Sequence, residues 1–581
     1  MARWRPDAGT EALIVQLLGL LLAHLLLTGL PGAAAALLAA RRGVDSIPLL
    51  LALALLVSGL VALLAFWAYY GGRTLGESFS YFAVFASAAA VVWTLATGVD
   101  RGLLRQLAVP AALWALASAF LVFFGFLHGG IDDSLAMAAS RFYGPLPSDN
   151  LIPAYFADWF FAHGHSGHPV LAPGWLASDR PPLQTGYVLS QRLFGLESQA
   201  RDYQVLGVVL QQLWVVGLWA LLVAARLGRL TRALVTVAVL TSGVAIVNGF
   251  YVWPKLLPTA LLLAAAALVL TPLWEEVRRR AWGAALLAAL LALSILAHGG
   301  SVFGAVPLAV VAAFRGLPGW RWIATAALAF LLLALPWSAY QRFGEPPGNR
   351  LIKYQLAGFT GIDDRGSLAT IVDAYEAAGL GGALHNKGQN LVTIFGGGPW
   401  LDHVRTAVDD LTAGDPAGFL REIRTDLFYN LVPSLGLFLL APFAMLVWRR
   451  RGPPHGAEWS LALRCFWVLA VGIVFWSLAM FGNDASRTVM HQGSFLLPVL
   501  GICGCVCGLR ATVPRFAAWC VAATAVAMLA IYTPALDPLP GTSYSVAAAL
   551  LAALALAGFC LVLARFSDAP EAGPEPAAAA R

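Results

Sequence analysis

The chain has 581 residues, of which 59% are hydrophobic and only 12% are charged, and its mean hydropathy is +0.75. A soluble domain carries about twice that share of charged residues, so this composition excludes a soluble enzyme and predicts an integral membrane protein. The formal net charge is +6. Because the basic residues lie between apolar runs, we attribute this charge to anchoring of loops at the membrane surface and expect no binding of nucleic acid.

Apolar runs long enough to cross a bilayer recur along the whole chain. A spanning helix needs about 20 predominantly apolar residues. The sequence therefore predicts an all-α polytopic membrane protein with about 13–15 transmembrane helices, and Leu30-Pro31-Gly32 is a candidate break in the first. The predicted spans are 12–38, 47–70, 79–98, 107–127, 203–225, 230–249, 255–273, 282–298, 302–314, 321–341, 428–448, 461–481, 493–509, 514–532 and 545–565.

Arginines gather in alternate loops between these spans. Loops rich in Lys and Arg stay in the cytoplasm, so we expect all of these loops on the cytoplasmic side of the inner membrane. The N-terminus then lies outside, which Arg3 and Arg5 oppose. The arginines that set this orientation are Arg41, Arg42, Arg101, Arg105, Arg226, Arg229, Arg232, Arg278, Arg279, Arg280, Arg315, Arg321, Arg449, Arg450 and Arg451.

Two segments on the opposite, external side are far longer than ordinary helix connections. Loop one covers residues 128–202 and loop two covers residues 342–427. Loops of this size usually carry function, and we expect both to be partly helical. The predicted organisation is N-terminal transmembrane helices 1–106, a transmembrane core 107–341 that includes loop one, external loop two 342–427, C-terminal transmembrane helices 428–566 and a disordered tail 567–581.

Loop one begins with two adjacent carboxylates, Asp132 and Asp133, just after the fourth span. A carboxylate at the membrane surface can serve as a general base, and a like-charged neighbour raises its pKa toward the useful range. Alternatively, these residues cap the helix that follows by accepting from its free N–H groups. The pair alone does not decide between catalysis and capping.

Farther along loop one, Asp179 and Arg180 precede Pro181-Pro182-Leu183. The planar fork of an arginine suits a phosphate group, and the two prolines stiffen the backbone behind it. The alternative is a turn before a helix in which Arg180 pairs with Asp179. Both interpretations fit the local sequence.

An acidic motif directly after a transmembrane helix, followed by a long external loop with a Pro-Pro-Leu segment, resembles the GT-C glycosyltransferases, such as the protein O-mannosyltransferases and the aminoarabinose transferases of lipid A. Asp132-Asp133 matches the acidic position, and Arg180-Pro181-Pro182-Leu183 matches the Pro-Pro-Leu segment. The resemblance is best from the fourth to the tenth span. This chain departs from the family in having three spans before the acidic motif, where one is usual.

The resemblance implies a membrane enzyme that transfers a sugar from a polyprenyl-phosphate-linked donor to a glycan, lipid or protein acceptor on the external face. It also implies inversion at the anomeric carbon, with Asp132 or Asp133 as the base. The leaving group is a phosphate, so the site needs fixed positive charge. The candidate substrate-binding residues, all external in the predicted topology, are Asp179, Arg180, Lys255, His298, Arg350, Lys353, Arg487 and His491.

Several of these candidates have plainer interpretations. Lys255 follows Trp253-Pro254, and its amine can simply snorkel to the interface. His298 lies at the end of the eighth span, where a lone histidine usually satisfies the helix terminus. Arg487 and His491 lie one helical turn apart, and their cost within a span favours a functional cavity.

Metal and cofactor chemistry is not required by the sequence. His163, His165 and His168 could bind a divalent metal with Asp158, but nothing in this Gly-rich segment fixes their geometry, and we assign no metal ligands and no cofactor. The spacing of Cys503, Cys505 and Cys507 is tighter than that of zinc sites and indicates helix packing.

Two other classes of function are compatible with the composition. A transporter or lipid flippase is the main alternative, but it usually has repeated halves, broken helices and polar groups at mid-membrane. The chain instead keeps its mid-span positions apolar and shows no internal repeat. A non-catalytic scaffold for envelope assembly would not need charge gathered on one face.

Overall fold

The computed structural model describes residues 8–144, 146–167, 176–194, 200–395, 398–449, 456–483, 495–536 and 544–566. Within these ranges every regular element is helical and none is a strand, which confirms the all-α prediction. The α-helices are α1 Ala8–Arg41, α2 Ile47–Gly71, α3 Arg73–Ala96, α4 Arg101–Gly125, α5 Ser134–Ser140, α6 Ile152–His163, α7 Leu183–Gln191, α8 Ala200–Gln211, α9 Trp214–Ala224, α10 Arg229–Leu240, α11 Gly243–Tyr251, α12 Leu256–Val269, α13 Trp274–Val277, α14 Ala281–Ala297, α15 Val302–Phe314, α16 Trp320–Ala339, α17 Arg350–Ala357, α18 Ser367–Ile394, α19 Gly398–Ala413, α20 Pro416–Tyr429, α21 Leu440–Arg449, α22 Ala457–Ala479, α23 Leu496–Thr512, α24 Pro514–Tyr532 and α25 Val546–Phe566.

Nine helices in the described ranges are long and apolar enough to cross a bilayer, so the chain is a multi-pass membrane protein. Two further pairs each cross only if both members form one bent span, namely Arg229–Leu240 with Gly243–Tyr251 and Pro416–Phe428 with Pro433–Trp448. Shorter apolar helices lie at Leu256–Val269, Ala281–Ala297, Gly299–Phe314 and Leu496–Thr512. The predicted total of 13–15 spans depends on whether these shorter helices cross as well, and it stays a prediction.

The first span is continuous, and the candidate break at Leu30-Pro31-Gly32 is absent. Helix α1 runs through Pro31 without interruption. A side chain at Gly32 would lie 2.6 Å from the carbonyl oxygen of Ala54 on α2. The glycine therefore allows two helix backbones to approach closely, which is a common use of small residues between membrane helices.

Helix α12 lies at the centre of the molecule, and each of its residues is buried. It packs against α2, α9 and α14, which surround it with apolar side chains. With 14 residues it is only about 21 Å long, which is shorter than the roughly 30 Å hydrocarbon core of a bilayer. Lys255, the residue before its first turn, is buried as well.

Contacts between distant loops join chain segments that the arginine pattern places on the same side. On the arginine-rich side, Arg315 donates to the carbonyl of Val269, and the Arg41 guanidinium lies 3.9 Å from the Trp93 ring centroid. On the opposite side, the backbone N–H of Ser545 donates to Leu127 across 2.9 Å. The fold thus agrees with the predicted alternation of loops, and the compartment of each side remains a prediction.

Candidate functional site

The chain between α11 and α12 leaves the helical path while still buried, and side-chain amides hold it in place. Three buried amides donate to successive carbonyls of this segment: Gln204 to Phe250, Asn150 to Tyr251 at 3.0 Å, and Gln184 to Val252 at 3.2 Å. Val252 itself has φ 57° and ψ 21°, a left-handed conformation that β-branched residues rarely adopt. Such strain persists only where the surroundings fix the backbone, and here the amides fix it.

A fourth amide sets the start of α12. The side-chain oxygen of Gln211 accepts from the backbone N–H groups of Leu256 at 2.8 Å and Leu257 at 3.0 Å. These groups have no partner within their own helix, so Gln211 replaces the usual N-cap residue. The backbone on both sides of Lys255 is therefore held by hydrogen bonds.

Lys255 is the most unusual charged residue of the site. It is 3% exposed, and its amine lies 4.4 Å from the centroid of the Trp253 ring in a cation–π contact. In the part of the chain that the structure describes, no oxygen accepts a hydrogen bond from this amine. Burying an ammonium group without an acceptor is costly, so the position is suited to an anion from outside the chain. Such burial also disagrees with the interpretation of Lys255 as a snorkelling interface residue.

Arg180 lies near enough to Lys255 for the two positive charges to repel each other. Its guanidinium forms a buried ion pair with Asp149, whose other carboxylate oxygen accepts from the Tyr251 hydroxyl at 3.2 Å. Burial lowers the pKa of Arg180 to about 10, which still leaves it charged at neutral pH. The alternative in which Arg180 pairs with the Asp179 carboxylate is wrong, because the structure gives Arg180 only a backbone contact there, from Nη1 to the Asp179 carbonyl at 3.3 Å.

Asp179 binds Arg350 instead, and this pair joins loop one to loop two. Nε and Nη2 of Arg350 lie 2.8 Å and 2.7 Å from Oδ2 of Asp179, and the two side chains are 8% and 3% exposed. Burial raises the pKa of Asp179, whereas the Arg350 charge opposes that rise. The sequence placed both residues in the site, and the structure brings them together.

A carboxylate that the sequence analysis did not select strengthens this junction. Both oxygens of Glu345 accept backbone N–H groups, from Ala177 at 3.0 Å and from Ser178 at 2.6 Å. The Gln341 amide donates to the Ser178 carbonyl at 3.2 Å. We call the contacts of Gln341, Glu345 and Arg350 with residues 177–179 the loop clasp. It holds the start of loop two over the segment that carries Arg180.

Two further predicted residues have local partners. Lys353 is buried and bonds to Asp363, and the hydrogen bonds from Lys353 and Arg365 lower the pKa of Asp363 to about 2. His298 ends α14, and its Nδ1 accepts from the N–H of Gly300 at 3.1 Å, as expected of a residue that satisfies a helix terminus. Arg487 and His491 lie outside the described residues.

The predicted catalytic pair lies at the surface of the protein. Asp132 is 79% exposed along its side chain, and Oδ1 lies 2.8 Å from Nη2 of Arg201. Asp133 is exposed and occupies the N-cap position of α5, but its side chain makes no capping hydrogen bond. Helix α5 packs against α8 and against α11, the helix that ends at Tyr251. The role of either aspartate as a base stays a prediction.

Asp149 and Glu345 could not be predicted as site residues from the sequence, because their partners are remote along the chain. Arg180 is 31 residues from Asp149, and Ala177 is 168 residues from Glu345. The one local signal was the polar dipeptide Asp149-Asn150 before an apolar helix. Local patterns report the period of a helix, but they carry no information on which distant carboxylate a buried arginine meets.

The histidine motif of loop one does not gather metal ligands in the described part of the chain. His163 stacks on Trp159 with ring centroids 4.2 Å apart, and His165 packs near Tyr70. His168 lies outside the described residues. Across the described ranges, no group of three His, Cys, Asp or Glu side chains is arranged to hold a metal ion.

Comparison with known proteins adds no further constraint on the site. No protein-family model matches the sequence, and neither the curated proteins nor the solved structures contain a match.

Proposed function

We propose that the protein is a membrane glycosyltransferase that uses a polyprenyl-phosphate-linked sugar donor at the face opposite the arginine-rich loops. The observation that carries this proposal is Lys255, whose buried amine lies near Arg180 and has no acceptor oxygen in the described chain. A phosphate group would supply the missing acceptor oxygens. The polyprenyl chain gives a physical reason for placing such an enzyme in a bilayer.

The proposed chemistry needs positive charge where the leaving group forms. As the bond from the anomeric carbon to the phosphate oxygen breaks, negative charge grows on that oxygen, and Lys255 and Arg180 would stabilise it. Charges fixed before the reaction are the most effective, because they cost no reorganisation during it. Support for such fixation comes from the amides that hold residues 250–252 and from Asp149, which orients Arg180.

The acceptor side of the reaction is assigned to Asp132 or Asp133. One of them would remove the proton of an acceptor hydroxyl while the oxygen attacks the anomeric carbon from the face opposite the phosphate, which inverts that carbon. Their exposed position suits a glycan, lipid or protein acceptor that arrives from the aqueous side. The enzyme would then lie in the inner membrane with its site on the periplasmic or extracellular face.

The base assignment is tested by Asp132→Asn, Asp133→Asn and the double variant. Purified protein in vesicles receives lipid-linked donors that carry a radiolabelled sugar, and transfer to extracted acceptors is counted. We expect at least one single variant and the double variant to lose transfer while eluting normally in size exclusion. Full transfer by the double variant would remove both aspartates from the mechanism.

A transporter or lipid flippase is the second candidate, and the bent helices favour it. Helices α10 and α11 form a pair bent by 55°, and broken spans often line transport sites. In sealed vesicles, movement of a labelled polyprenyl-phosphate sugar across the bilayer without release of polyprenyl phosphate would support transport and contradict sugar transfer.

A further inference from the structure

A groove lies at the other end of the bent α10–α11 pair from Tyr251 and Lys255. It has a volume of about 500 Å³, and its walls come from α10, α24 and α25. Apart from Arg229 and Cys560 the lining side chains are aliphatic, for example Leu234 on α10, Val521 on α24 and Leu563 on α25. The groove is open at the surface, within the range of volumes that small-molecule sites occupy.

The mouth of this groove is basic. Each wall brings one exposed arginine to the same end: Arg229 in the first turn of α10, Arg515 in the first turn of α24 and Arg565 in the last turn of α25. Arg229 also donates to the carbonyl of Ala564, so it is held directly at the rim. The carboxylate of Glu458, at this end too, accepts from Thr231 on α10 at 3.1 Å and only partly offsets the positive charge.

We propose that this groove binds an anionic glycerophospholipid of the leaflet on the arginine-rich side, with one acyl chain between the three helices and the phosphate at Arg229. The lining runs from Arg229 to Val237, about 12 Å along α10, which is deep enough for much of an acyl chain. An apolar groove with cationic residues at only one end matches a molecule with an apolar tail and an anionic head. Basic pockets between membrane helices on the cytoplasmic side recognise lipid headgroups in this way.

This ligand is distinct from the proposed sugar donor. The donor phosphate would meet Lys255 and Arg180, whereas the lipid phosphate would meet Arg229 at the far end of the α10–α11 pair. Lipid binding therefore does not depend on the protein being a glycosyltransferase, and the two ideas fail separately.

Photo-crosslinking of the full chain tests the lipid site. The protein is placed in phosphatidylcholine vesicles with phosphatidylglycerol that carries a diazirine on one acyl chain, and crosslinked peptides are mapped by mass spectrometry. We expect crosslinks concentrated at 518–522 and 560–564, with unlabelled phosphatidylglycerol competing at least about fivefold better than phosphatidylcholine, the contribution of one arginine contact. Arg229→Gln should reduce this preference by about fivefold.

Matched variants separate the site from general lipid contact. Arg280→Gln removes an exposed arginine of the same side outside the groove and should keep the headgroup preference. Ala522→Trp fills the groove and should abolish the concentrated crosslinks, whereas Leu550→Trp, at a 60% exposed position of α25 outside it, should not. Crosslinks spread evenly over the exposed helices with no headgroup preference would overturn the proposal. So would a dimer that Ala522→Trp dissociates, because a second copy would then occupy the groove.

Discussion

Replacing Lys255 by methionine should lower the rate of sugar transfer and raise the stability of the folded protein. Methionine keeps an unbranched side chain of similar length but removes the charge. In the proposed enzyme this change deletes one of the two cations that stabilise the departing phosphate, and loss of one such group typically lowers kcat by about 10²–10³-fold. For folding, the same change removes a buried ammonium that has no acceptor in the described chain.

The stability of the empty protein should therefore rise. A buried lysine amine without an acceptor costs free energy that a methionine of similar size does not, so we expect Lys255→Met to unfold at a higher temperature than the wild-type protein. The matched variant is Arg180→Met, which leaves the Asp149 carboxylate buried and unpaired. Breaking one side of a buried ion pair costs about 3–5 kcal/mol, so this neighbour should destabilise the protein while also reducing transfer.

Thermal unfolding in detergent, followed in parallel with sugar transfer in vesicles, measures both effects. Lys387→Met serves as the control for loss of a lysine, since Lys387 lies in loop two and bonds to the Tyr375 hydroxyl at 2.6 Å. A Lys255→Met protein with normal transfer would refute the role in catalysis. One that unfolds at a markedly lower temperature would show that the ammonium has a stabilising partner and would refute the reasoning from burial.

Three other changes test the surrounding structure. Arg350→Met leaves the Asp179 carboxylate buried without its partner and should lower the stability measured in thermal unfolding by about 3–5 kcal/mol. Adding Asp179→Leu should recover most of this loss, and equal stability of the single and double variants would contradict the prediction. Gln211→Leu removes the acceptor of two buried N–H groups and should lower the free energy of unfolding by about 1–3 kcal/mol, with no change counting against the capping role. Burial lowers the pKa of Lys387 to about 8, well below its value in an unfolded chain, so the folded state binds fewer protons than the unfolded state. The free energy of unfolding should therefore rise as the pH increases from about 8 to about 10. Lys387→Met should lack this rise, and identical pH profiles of the two proteins would contradict the prediction.

The sequence predicted the positions of the membrane helices better than the pairing of charged residues between the loops. Apolar runs of about 20 residues locate membrane helices because the bilayer thickness fixes their length. The expected spans 47–70 and 514–532 therefore fall within one residue of α2 and α24. The break considered at Pro31 is absent, because neighbouring helices support a proline in a membrane helix that would break one in water.

The candidate site was predicted as a set of residues but not as a set of pairs. Asp179, Arg180, Lys255 and Arg350 were all singled out from the sequence, but the carboxylate that each arginine meets was not. Arg180 pairs with Asp149, and Arg350 pairs with Asp179. Pairing of buried charges depends on which loops dock, and this depends on the whole fold. The strained Val252 was equally invisible, because its conformation is imposed by amides from distant helices.

The most direct test of the central claim is equilibrium binding of polyprenyl phosphate compared with the polyprenol of the same chain length. Both ligands present the same apolar tail, so the difference in Kd measures the contribution of the phosphate. We predict that the wild-type protein prefers the phosphate by at least about tenfold, the equivalent of one charge-assisted contact, and that Lys255→Met loses this preference. Equal affinity of the wild-type protein for the two lipids would contradict a phosphate site at Lys255.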